Sequence, residues 1–281
     1  MESAQTGFTI LIGEDTDLLI LLLYHFQDSM YNILFRSDVK RPHSVQPNRI
    51  YNIRLLQRSM EKDVVNSMLF LHAFTGCDST SRIHSVGKKK IFHKILEDAH
   101  FRCQALSFTR DGLTQNSVEE LGRNAMLAIF DGKTNETLTA CRHRHFVAKV
   151  TSASSFVKPE RLPPTESATK FHSLRSYYQI SVWKGTDSNL QATDWGWKLH
   201  DGHYEPLTMD CSPAPETLLK MMRCNCTTGC ISKRCGCRKN GFHCNLSCGK
   251  CQETVCEDEP SADNMEDDID NDIDGIFDDI V

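Results

Sequence analysis

The order of predicted elements gives an α/β fold for the first half of the chain, followed by a helix-and-hairpin extension, a cysteine-rich module and an acidic tail. Three observations carry this reading. An apolar segment at 7–12 (GFTILI) leads into a polar turn, an apolar stretch and two further strand-like segments. Nine of the thirteen cysteines fall between 224 and 256. Residues 257–281 carry twelve Asp or Glu and no Lys or Arg.

Residues 7–12 predict a strand, and Gly13-Glu14-Asp15-Thr16-Asp17 a turn after it. The apolar stretch 18–24 suits a helix or a strand. Segments 31–36 and 49–55 predict strands joined by a polar, proline-containing loop. Ser59 is placed to cap a helix over 60–75, with Val64, Val65, Met68, Leu69 and Leu71 as its apolar face and Gly76 as its stop. A loop over 76–86 feeds a helix over 87–98, and 117–129 predicts another. Together these form an α/β domain over 1–148. Ser, Thr and Pro mark 149–165 as a linker. Thr165 caps a helix reaching Trp183, with Phe171, Leu174, Tyr178 and Val182 on one side. Asp201-Gly202, within 195–207, predicts a tight hairpin. A short helix from 212–216 leads to Cys224, so 166–222 reads as a helix plus hairpin extension. The tail, 257–281, is too acidic to bury a core and should be disordered when free.

Composition narrows the function classes. No apolar run reaches ~18 residues, and no basic segment leads an apolar one, so neither a membrane span nor a secretory signal is expected. That points to an intracellular protein, in which clustered cysteines read as metal ligands rather than disulfides. The net charge of -5 conceals an asymmetry: residues 1–256 hold 25 acidic and 32 basic residues, a formal +7. A basic body suits a polyanion partner, and an acidic tail a solvated appendage or a docking site for another protein.

The module at 223–256 contains Cys224, Cys226, Cys230, Cys235, Cys237, Cys244, Cys248, Cys251 and Cys256, with Cys-x-Cys pairs at 224/226 and 235/237. Small, polar and turn residues separate them, so metal must supply the folding energy. Zinc takes four ligands, and thiolate is its usual structural ligand. Three zinc ions and nine thiolates balance if three sulfurs each bridge two ions. The tight spacing favours that shared cluster over two separate four-cysteine sites with one cysteine spare. A disulfide knot, or His243 as a substitute ligand, are the remaining alternatives. Seven basic residues and no acid lie between Glu216 and Glu253, so the metal-loaded module stays cationic. Lys233, Arg234, Arg238 and Lys239 are the candidates for phosphate contact.

The two Cys-x-Cys pairs, with Lys233-Arg234 before the second and Arg238-Lys239-Asn240-Gly241 after it, resemble the CXC domain of the tesmin/TSO1 family. The resemblance covers the cysteine module alone and implies zinc-dependent binding of duplex DNA, in the minor groove of A·T-rich sequence, and hence a nuclear protein. Cys251 and Cys256 stand further apart than the family pattern has them.

Near the N-terminus, Glu14-Asp15-Thr16-Asp17 follows a strand and Asp78 follows a helix. Carboxylates at such ends can gather a divalent metal; the plainer reading is that Asp15 or Thr16 caps a helix and Asp78 a turn. The wider run, EDTDLLILL and then LFLHAFTGCDSTSRIHSVGKKKIFHKIL, resembles the later half of a PIN-like flap-endonuclease domain, over 7–98. The resemblance implies Mg²⁺ or Mn²⁺ ligation by Asp15, Asp17 and Asp78, and a helical hairpin binding phosphate through Gly87, Lys88, Lys89 and Lys90. The family's other carboxylates have no counterpart, since Glu2 is the only acid before Glu14. The expectation is therefore either a fragment of a longer product or a domain that has lost its nuclease activity, with one side of the sheet uncovered. The combination with a CXC module suggests descent from a transposable element. Cys141-Arg142-His143-Arg144-His145 would set three ligands, Cys141, His143 and His145, on one side of a strand, and exposed polar residues are the simpler reading. Trp183, Trp195 and Trp197 suit packing better than base stacking.

Overall fold

The computed structural model describes residues 7–13, 15–37, 50–152, 159–186 and 189–211, and within the cysteine-rich segment 224–226, 230, 234–239, 244, 248–249 and 251. It is a mixed α/β structure in which most of the packing is helix against helix, with a small three-stranded sheet and a separate two-stranded hairpin. The expected helix at 212–216 and the acidic tail lie outside the described residues.

Strand β1 (Thr9–Gly13), helix α1 (Thr16–His25) and strand β2 (Ile33–Ser37) form a β-α-β unit, with β1 and β2 parallel and Thr9 paired to Ile33. Helix α1 begins where the side chain of Asp15 accepts the N–H of Asp17 at 2.9 Å. Its Leu19, Ile20, Leu22 and Leu23 are buried. Strand β3 (Ile50–Asn52) adds antiparallel to β2, giving the order β1-β2-β3. Phe8, Ile10 and Ile12 are exposed, as expected of a sheet covered on one side.

The strand expected over 49–55 stops early. Asn52 accepts the N–H of Leu55 at 3.1 Å and starts helix α2 (Ile53–Arg58). Ser59 then closes α2, its hydroxyl donating to the Leu56 carbonyl, and so does not cap the next helix. Helix α3 (Lys62–Thr75) starts at Glu61 without a side-chain cap. It is buried nearly all round from Val64 to Thr75, not on one face alone. Gly76 ends it with φ 116°, and a Cβ there would come within 2.6 Å of the Arg82 backbone, so only glycine fits.

Helix α4 (Lys88–Glu97) begins after Gly87, as predicted. Helix α5 (Ala99–Phe108), unexpected from the sequence, follows directly because Asp98 both ends α4 and caps α5 through the N–H of Phe101. Helix α6 (Gln115–Ile129) is capped by Thr114. Helix α7 (Leu138–Ser152) replaces the strand expected around 141–145. Thr137 caps it by accepting the N–H of Ala140. Arg144 pairs with Glu136, which favours the helical turn there.

Helix α8 (Glu166–Lys184) runs from the Thr165 cap to Gly185 in the left-handed region. It packs against α3 and α6, and its Phe171, Leu174, Tyr177 and Ile180 belong to the same core as α1, α3 and α5. The buried stripe passes through Tyr177 and Ile180, while Val182 is exposed. Strands β4 (Trp197–His200) and β5 (His203–Pro206) make the predicted hairpin, with positive φ at both Asp201 and Gly202. Trp183 stacks on His72, Trp195 packs on Tyr177, and Arg175 lies over Trp197. The tryptophans are thus packing residues. No helix among the described residues is long and apolar enough to cross a membrane.

Candidate metal centre

The described cysteines of the module turn inward. Cys224, Cys230, Cys235, Cys237, Cys244, Cys248 and Cys251 are buried and Cys226 is half-buried. Among the described residues, no other apolar side chain packs into this cluster. A core made only of sulfur has too little hydrocarbon to fold by burial.

The sulfurs converge in three sets of four: Cys224 with Cys226, Cys230 and Cys235; Cys224 with Cys235, Cys237 and Cys244; and Cys224 with Cys230, Cys244 and Cys251. Within each set every pair of sulfurs lies within 4.8 Å. Cys224 Sγ stands 3.7 Å from Cys230, 3.7 Å from Cys244 and 3.5 Å from Cys251. Cys235 to Cys244 is 3.7 Å, and Cys237 to Cys248 is 3.6 Å. A disulfide needs ~2.05 Å. A tetrahedron of sulfurs around zinc, with Zn–S bonds of ~2.3 Å, has edges of ~3.8 Å. The spacing therefore fits metal ligation, and the described cysteines are free thiols.

Local backbone structure aims these side chains. Cys235 opens a single helical turn, α9 (Gly236–Lys239), closed by the Lys239 N–H on the Cys235 carbonyl at 2.8 Å. That turn sends Cys235 and Cys237 inward and leaves Arg234 and Lys239 exposed and Arg238 half-buried. The Gly249 N–H donates to the Cys224 carbonyl at 2.9 Å and ties the two ends of the module. A Cβ on Gly249 would come within 2.3 Å of Asn225 Oδ1. Burial pushes the thiols of Cys224 and Cys237 up, Cys237 to about 11. Cys235 differs: burial opposes its ionisation, but the backbone N–H groups of Arg238 and Cys237 outweigh it and bring it to about 6. A dication held by these sulfurs would supply the charge that favours the thiolate at all of them. Cys256, Lys233 and His243 lie outside the described residues.

The acidic residues form a second constellation. Asp15 is engaged as the cap of α1. Asp17 accepts a hydrogen bond from buried His72 Nε2, a partner on α3 that the sequence reading missed. A histidine inside the apolar run LFLHAF was the available signal. Asp78 lines a cavity of about 300 Å³ with Thr16, Cys77, Thr80, Arg82 and Lys88. Lys88 is the hub: burial pushes its ammonium down, while Cys77, Asp17, Asp15 and Asp78 favour its charge. The three aspartates thus all act on Lys88. They are not among the groups of three or more close ligand atoms found in the described residues, all of which are cysteine. Lys89 is half-buried and Lys90 exposed on the first turn of α4. Glu14 lies outside the described residues. In α7, Cys141 is buried, Arg144 holds Glu136, and His145 bonds the Phe130 carbonyl, so that run is used in packing.

Comparison with known proteins adds no relative: no family model, no curated protein and no solved structure matches the chain. The cysteine cluster therefore stands on its own geometry.

Proposed function

We propose that the protein is a zinc-dependent, nuclear DNA-binding protein whose cysteine module contacts duplex DNA. The observation that carries this is the convergence of seven cysteines in three overlapping sets at zinc-ligand spacing, with Cys248 3.6 Å from Cys237. Cys224 falls in all three sets, and Cys230, Cys235 and Cys244 in two each, so sharing among these sulfurs is how nine thiolates serve three ions. Cys224, Cys235 and Cys244 bridge. Cys226 and Cys230 complete one site, Cys237 and Cys248 the second, and Cys251 with Cys256 the third. Three ions then make twelve Zn–S bonds with nine thiolates. Arg234, Arg238 and Lys239, with Lys233, form the basic face that neutralises phosphates, supported by Lys89 and Lys90 on the larger body. The CXC likeness of the sequence agrees with this reading.

The acidic site is read as inactive. A half-buried Lys88 amid Asp15, Asp17 and Asp78 provides the positive charge that a divalent cation would otherwise bring. Mg²⁺ or Mn²⁺ would have to displace that lysine and compete with His72 for Asp17.

Fluorescence anisotropy with A·T-rich duplex tests the reading. Zinc-loaded protein should bind in a salt-dependent manner, and chelation or Cys235→Ser should abolish binding. Unchanged binding by the zinc-free chain would sink the proposal. Mg²⁺-dependent cleavage of flap DNA, lost on Asp17→Asn, would overturn the inactive reading of the acidic site.

A further inference from the structure

A second cavity, of about 310 Å³, lies between α6, α7 and α8 and the loop after α3. Three arginines line it, Arg82, Arg142 and Arg175, and among the described residues the one acidic lining residue is Glu160. Ile83, Met126 and Leu162 supply an apolar wall.

The arginines are set unusually for a surface cleft. Arg175 is 4% exposed. Its Nη1 donates to the carbonyls of Gly196, at 3.4 Å, and Leu207. Arg142 is half-buried and donates to the Pro163 carbonyl. Burial pushes both guanidiniums down, and no acidic neighbour offsets it. A buried cation is costly unless it is paired, and carbonyl oxygens meet only part of the donor capacity of a guanidinium. Arg82 is exposed and lines both this cavity and the neighbouring acidic one. The folded chain thus holds an excess of positive charge around a space of ligand size, beside an apolar surface.

From this geometry we propose that the cavity is a binding site for a small phosphomonoester, its phosphate on Arg82, Arg142 and Arg175 and its organic body against Ile83, Met126 and Leu162. Planar guanidinium forks match the oxygen spacing of a phosphate, and several around one anion favour the dianionic head over a single carboxylate. The site lies on the larger body and does not depend on the zinc module.

Isothermal titration calorimetry on the zinc-loaded full chain tests the proposal, with a nucleoside monophosphate, the parent nucleoside and inorganic phosphate as probes. The monophosphate should bind, inorganic phosphate should bind more weakly, and the nucleoside should not bind. Arg82→Ala and Arg142→Gln, each checked for native circular dichroism, should each weaken monophosphate binding about tenfold, equivalent to ~1.4 kcal/mol. Cys235→Ser should leave it unchanged, which separates this site from the DNA-binding reading. Absence of monophosphate binding to the folded wild type, wild-type affinity in both arginine variants, or loss of binding in Cys235→Ser would overturn it.

Discussion

At the scale of single residues, His172 shows how the core constrains chemistry. It sits inside α8 with Nε2 on the Phe74 carbonyl at 2.9 Å. Burial pushes it from 6.5 down to about 4, Arg175 adds to that, and the bond to Phe74 only partly opposes it. The folded state therefore holds a neutral imidazole while the unfolded chain takes up a proton below pH 6.5. Stability is full above that pH and falls as pH drops towards 4, by up to about 3 kcal/mol for this residue. His172→Gln keeps a donor for Phe74 and removes the titration. Urea midpoints at pH 7 and pH 4.5 should converge in the variant relative to the wild type. An equal acid loss in both proteins would contradict the assignment. His72, also pushed down by burial, acts in the same direction.

At the scale of elements, the packing of α6 on α8 rests on Gly122. A Cβ there would fall 1.9 Å from Ser173 Oγ and 2.5 Å from Ser173 Cβ. Alanine gains about 1 kcal/mol over glycine in a helix interior, but forced separation of packed helices costs about 1–3 kcal/mol. With both Ser173 atoms below contact distance, the second effect wins. Gly122→Ala should lower stability by about 2 kcal/mol in chemical denaturation, and Ser173→Gly should restore part of it. A stabilised Gly122→Ala variant would disprove the close approach. The elements also show what was legible in the sequence. Caps at Thr165, the Gly76 stop and the Asp201-Gly202 turn are local signals, and they hold. Asn52 and Asp98 are local caps too, but each sits where one element runs directly into the next, with no polar loop to mark the change. The alternation in Cys141–His145 mimicked a strand because the pairing of Arg144 with Glu136 is invisible without the fold.

At the scale of the whole molecule, the chain joins a hydrophobic core to a module whose core is sulfur. The cysteine spacing made the second legible in outline, since zinc chemistry fixes ligand type and number. Which sulfurs come together was not legible, because that depends on how the chain folds Cys224, Cys230, Cys235 and Cys244 close to one another. The three arginines of the second cavity come from separate elements and carry no sequence motif. The pairing of Asp17 with His72, across 55 positions, is likewise a product of packing.

The proposed function depends most on one shared metal cluster in the cysteine module. Native mass spectrometry of the chain purified under reducing conditions, combined with thiol alkylation of the loaded protein, tests it directly. The predicted result is three zinc ions per chain with all nine module cysteines protected. Two ions with one module cysteine alkylated, or a metal-free chain carrying disulfides, would contradict it.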